Sequence, residues 1–125
     1  MPVTQPLIDM SYILDIAGND AVYIYEISGI FLDTMAAGLP KLKNLIDNNA
    51  ADFDKIHAQA HYLKSSAGII KIRDNYEKLI MIDQLAQTKS DEKNEIKELF
   101  DSIWANFEEA LPELHEIRNK NKTDE

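Results

Sequence analysis

Apolar residues recur along this chain at spacings of three and four, segment after segment, and nowhere in the two-residue rhythm of a half-buried strand. That pattern calls for helices, each with one face to bury. Four glycines and four prolines in 125 residues leave few places to interrupt them. The expected architecture is therefore all-α: an antiparallel four-helix bundle with one or two short accessory N-terminal helices.

The boundaries follow from caps and breakers. Asp9 to Ala17 reads as a short first helix, with Gly18 as its stop and Asn19 or Asp20 capping the next. Tyr23, Ile24, Ile27, Ile30, Phe31, Thr34 and Met35 carry the apolar stripe of that second helix. Gly38 and Pro40 predict a kink or break, after which Leu39, Leu42, Leu45 and Ile46 lead to a loop at Asp47–Asn48–Asn49. Asp52 is a good N-cap for a helix reaching about Lys71, with Phe53, Ile56, Ala60, Leu63, Ala67 and Ile70 on its seam. Another helix is expected from about Asp74 to Gln87. Ser90, with Asp91 and Glu92 behind it, looks like the cap of a last helix holding Ile96 to Ile117, kinked at Pro112. Residues 1–8 and 119–125 are expected to be frayed tails on a single domain spanning 1–125.

Composition narrows the function classes. The formal charge of −9 disfavours nucleic acid and anionic membrane surfaces as partners. The absence of cysteine removes disulfides, thiolate catalysis and Cys-ligated zinc, and fits a reducing cytoplasm. Neither a signal peptide nor an apolar run near the ~20 residues of a membrane span is read from the sequence. The expectation is a cytoplasmic protein, monomeric because no long heptad seam is exposed.

The chemistry concentrates in one segment, Ile56-His57-Ala58-Gln59-Ala60-His61-Tyr62-Leu63-Lys64-Ser65-Ser66-Ala67-Gly68. At about 100° per residue, His61 projects roughly 130° from the centre of the apolar side, so it faces outward. His57, Lys64, Ser65 and Gly68 share its face. A neutral imidazole, with an ordinary pKa of about 6.5, is a competent nucleophile that can attack an acyl phosphate and hold the phosphoryl group. Lys64, at i+3, can reach the oxygens of that group. Ser65 and Gly68 leave room for another protein to approach.

The run Ala60-His61-Tyr62-Leu63-Lys64-Ser65-Ser66-Ala67 resembles the A-H-x-L-K-G-S-[SA] signature of histidine-containing phosphotransfer (HPt) domains of two-component phosphorelays. Asp9 to Leu42 is similar to the N-terminal half of that family, including the Gly18-Asn19-Asp20 turn and Ile30-Phe31-Leu32-Asp33. The resemblance implies that His61 is the phosphoacceptor and Lys64 the group that supports the phosphoryl. It implies two kinds of partner, a response-regulator receiver domain and a sensor (hybrid) histidine kinase, with His57, Ser65 and Gly68 at the docking face. Ser65 and Lys71 stand where the family usually has glycine.

Other readings of the same residues were weighed. His57 and His61, at i and i+4, could hold a metal, but no third ligand is evident and no metal is expected. His115 suits a helix C-terminus, where it complements the dipole. The carboxylates read as solvated faces, and no acidic pocket accompanies the histidine, so any magnesium belongs to the receiver. No Gly-rich phosphate loop is present, so the chain is expected to be a phosphocarrier without a cofactor or ATP site of its own. The rival function is a helical adaptor on the same scaffold that binds partners without carrying phosphate.

Overall fold

The structure, a computed structural model, describes residues 7–48, 52–88 and 93–122. The elements run β1 (Ile8–Asp9), α1 (Ser11–Ala17), α2 (Ala21–Asp47), α3 (Phe53–Ile69), β2 (Lys71–Ile72), α4 (Asn75–Gln87) and α5 (Lys93–Lys120). Helix α2 packs on α3 and α5, and α4 packs on the same two, so the four long helices close a ring of antiparallel neighbours. Their inner faces meet in one core that includes Met35, Leu39, Leu42, Ile56, Leu63, Leu79, Ile82, Ile103 and Leu114.

Caps set several boundaries. The Asp20 side chain accepts from Tyr23 N at 3.2 Å, opening α2, and Asp52 accepts from Lys55 N at 3.2 Å, opening α3. Gly18, at φ +60° and ψ −129°, takes a conformation open mainly to glycine where α1 stops. Ser90, Asp91 and Glu92, read as the last helix's cap region, lie outside the described residues, as does Asn49 of the expected loop.

Five expectations need correction. Helix α2 is not broken at Pro40; α5 runs through Pro112 as the single helix expected. The carbonyls that lose a donor belong to Ala36 and Glu108, both exposed residues where water can serve instead. Ile30 is 59% exposed, because it points roughly 150° away from the centre of the face that buries Phe31, Met35 and Leu39. Helix α3 stops at Ile69, and Lys71–Ile72 pairs antiparallel with Ile8–Asp9, with Ile8 opposite Ile72 and both buried. Ile8 is thus part of the core and not of a frayed tail, and Asn119 and Lys120 still belong to α5. Finally, α2 is long and apolar enough to cross a membrane by length and composition. Its position explains that composition: it buries Ile24, Phe31, Leu32, Met35, Leu39, Leu42 and Ile46 inside the bundle.

Behind β2, Arg73 takes a positive φ of 44° and forks onto both carboxylate oxygens of Glu109, at 2.9 and 3.1 Å. The same guanidinium donates to Asn106, which donates to buried Asn75, which in turn donates to the Ile103 carbonyl. This chain of bonds ties the α3–α4 connection to α5 and fixes the start of α4. It therefore sets the register of α4 against α3, on which the site depends.

Candidate functional site

Helix α3 carries His57, His61 and Lys64 on one face, and α4 lies against that face. His61 is the most open of the three, with 62% of its side chain exposed. Its Nδ1 is 3.4 Å from Oδ2 of Asp83, a residue of α4 whose side chain is only 6% exposed. The other carboxylate oxygen, Oδ1, is bonded to His57 Nδ1 and lies 3.4 Å from Gln87 Nε2. Lys64 Nζ is 3.8 Å from Oδ2. One buried carboxylate thus gathers two imidazoles, an ammonium and an amide.

Asp83 explains the protonation state of the cluster. Burial alone pushes its carboxyl up. Hydrogen bonds from His57, then His61 and Gln87, outweigh that and hold it below the usual carboxylate range. An ionised carboxylate only accepts, so each imidazole facing it must carry its proton on Nδ1. In the neutral form of His61 the lone pair is then on Nε2, in a side chain that is 62% exposed. Lys64 stands beside it, half-buried at 28% exposure and tethered only loosely.

The flank of α3 towards α2 differs. Tyr62 is 58% exposed, and Ala58 and Ser65 are exposed as well. Beside them runs an open groove of about 570 Å³, lined by Asp33, Thr34, Ala37, Gly38, Lys41, Gln59 and Tyr62. Gly38 allows the close approach of α2 and α3 there, since a Cβ at that position would lie 2.4 Å from Leu63 Cδ2. Gln59 Nε2 donates to the Gly38 carbonyl at 3.1 Å across the same contact.

The structure brings His57, His61 and Lys64 together around Asp83, which sequence reasoning missed. The reading of the carboxylates as solvated faces is corrected at Asp83, which is buried. Asp83 occupies a stripe position of α4, in the series Leu79, Ile82, Asp83, Ala86, and a carboxylate among buried apolar residues was the available signal. His57 turns inward to Asp83. Ser65 stays exposed. Gly68 lies under Tyr76, whose Cε1 would be 3.1 Å from an added Cβ, so its smallness serves the α3–α4 packing. Lys71 is in β2, with its ammonium 5.4 Å from the Tyr76 ring centroid. Among the described residues, no group of three or more His, Asp or Glu is placed to hold a metal ion.

In a comparison of folds, the chain superposes on the crystal structure of the histidine-containing phosphotransfer protein ZmHP2 from maize. The TM-score is 0.73 at 21% identity, covering 92% of this chain and 84% of the maize protein. The fold is that of an HPt protein. No sequence-family model and no curated protein matches the chain. The HPt likeness therefore rests on the fold.

Proposed function

We propose that this chain is a phosphocarrier of a two-component phosphorelay, with His61 as its phosphoacceptor. The observation that carries this reading is an exposed imidazole whose Nδ1 faces a buried carboxylate that also lies 3.8 Å from a lysine ammonium. In the step, the Nε2 lone pair of His61 attacks the phosphorus of an aspartyl phosphate on a receiver domain. The N–P bond forms, the P–O bond to the aspartyl carboxylate breaks, and that carboxylate leaves with the electron pair. The Nδ1 proton stays on the ring, where Asp83 offsets the imidazolium charge that develops. Lys64 swings from Asp83 to the phosphoryl oxygens. Reversal onto a second receiver completes the relay.

An exposed histidine needs no pocket of its own, because the receiver brings the acidic, metal-holding site to it. The small and apolar residues near His61 on α3, namely Ala58, Tyr62 and Ser65, form a surface that a receiver can cover without burying unpaired charge. The reading places the chain in the cytoplasm as a monomer, between a sensor kinase and a response regulator.

Incubation with a phosphorylated receiver domain tests it. The wild type should acquire an acid-labile, alkali-stable label, and His61→Gln should acquire none while keeping its helical circular dichroism. A folded wild-type protein that takes no label from several receivers would point to the adaptor instead.

A further inference from the structure

Two imidazoles share Asp83, and the transfer step uses only one. His57 lies one turn before His61 on α3, with ring centroids 6.0 Å apart and the planes tilted by 45°. Its Nδ1 meets Asp83 Oδ1 and lies 3.4 Å from Gln87 Nε2. The vacant proton position of a neutral His57 is therefore Nε2, on the ring edge away from the carboxylate. The side chain is 37% exposed, so that edge can exchange protons with water.

The charges around this ring can be counted. Before transfer, Asp83 carries −1 and Lys64 carries +1, and His61 must be neutral to attack. Transfer as written above brings a phosphoryl group with two negative charges and turns the His61 ring positive, a net change of about −1 at the site. From α4, His57 faces Asp83. On α3, Asp54 precedes it by one turn, and His61 and Lys64 follow on the same face. From α2, Asp33 and Lys41 line the groove on the opposite flank, and Lys43 pairs with Asp47. From β2, Lys71 sits over Tyr76. Of all these groups, only the two histidines ordinarily titrate near neutral pH.

Resting on the phosphocarrier reading, we propose that His57 takes up a proton from water at Nε2 when His61 is phosphorylated, which makes the phosphotransfer equilibrium of this site depend on pH. The coupling is reciprocal: phosphorylation raises the proton affinity of His57, and a protonated His57 favours the phosphorylated state by the same factor. Because the phosphorylated form binds the extra proton, falling pH favours holding the phosphoryl group. Rising pH favours passing it on. A coupling of about one pH unit corresponds to about tenfold in the equilibrium.

The test uses the full chain phosphorylated by phosphoramidate, with phosphorus NMR reporting phosphohistidine. Proton–carbon NMR of the three imidazoles is followed from about pH 6 to 8. His57 should titrate about one pH unit higher in the phosphorylated protein than in the free protein, with His115 unmoved. In receiver-transfer equilibria over the same range, the wild type should show about a tenfold pH dependence that His57→Gln loses, a readout a merely structural role would not move. If His57 titrates at the same pH in both forms while phosphorus NMR shows His61 loaded, the proposal is overturned and the phosphocarrier reading stands. If no phosphohistidine signal forms, both fall together.

Discussion

At the scale of single residues, Asp83 is the group that gathers His57, His61 and Lys64. Asp83→Asn keeps the volume but removes the charge that holds Nδ1–H of His61. A hydrogen bond to a charged group contributes ~1.5–3 kcal/mol, so phosphoryl uptake should slow roughly 10- to 100-fold, measured as the initial rate of labelling. The same carboxylate has a stability signature. Its folded value is depressed, so its contribution is fully present above the unfolded value of about 3.9 and is lost as pH falls through the folded value. Urea titrations between about pH 5 and 2 should therefore show a steeper loss of stability for the wild type than for Asp83→Asn. His61 and Lys64 were legible because their types and spacing form a motif. Asp83 was not, because its partners lie 22 and 26 residues away and only the packing of α4 on α3 brings them together.

At the scale of elements, the two glycines at the α3 interfaces make opposite predictions. A Cβ on Gly38 would lie 2.4 Å from Cδ2 of Leu63, which is fully buried between α2 and α3 and cannot retreat. Gly38→Ala should destabilise by about 1–2 kcal/mol, an overpacking cost that outweighs the helix-propensity gain. A Cβ on Gly68 meets the half-buried Tyr76 ring at 3.1 Å, and that ring can tilt towards solvent. Gly68→Ala should be neutral or slightly stabilising, because alanine gains up to ~1 kcal/mol of propensity there. Thermal melts of the two variants separate these outcomes. Helix existence was legible throughout from apolar spacing, and the caps Asp20 and Asp52 fell where their chemistry put them. What escaped were the events that local rules do not decide. Pro40 is tolerated because the carbonyl it orphans faces water, and the β1–β2 pair forms because Ile8 and Ile72 have a core to enter.

At the scale of the whole molecule, the bundle carries His61 on its surface, with 62% of the side chain exposed. Its helices meet in one shared core, and the site lies on the outer surface of α3, so site and core should separate in mutagenesis. His61→Gln should leave stability within ~0.5 kcal/mol of the wild type, whereas Leu63→Ala, two residues on but fully buried, should cost ~2–5 kcal/mol. Denaturant melts check both. The fold, like the motif, was legible from the sequence, and it is shared with a maize phosphotransfer protein at only 21% identity. The bundle requires little more than apolar spacing, so that likeness leaves the chemistry to be tested on the residues themselves. The most direct test locates the phosphate. After incubation with a phosphorylated receiver domain, tandem mass spectrometry at neutral pH can distinguish His61 from His57, the neighbouring imidazole that also faces Asp83. The account predicts phosphate on His61 alone; phosphate on His57, or on neither, would contradict it.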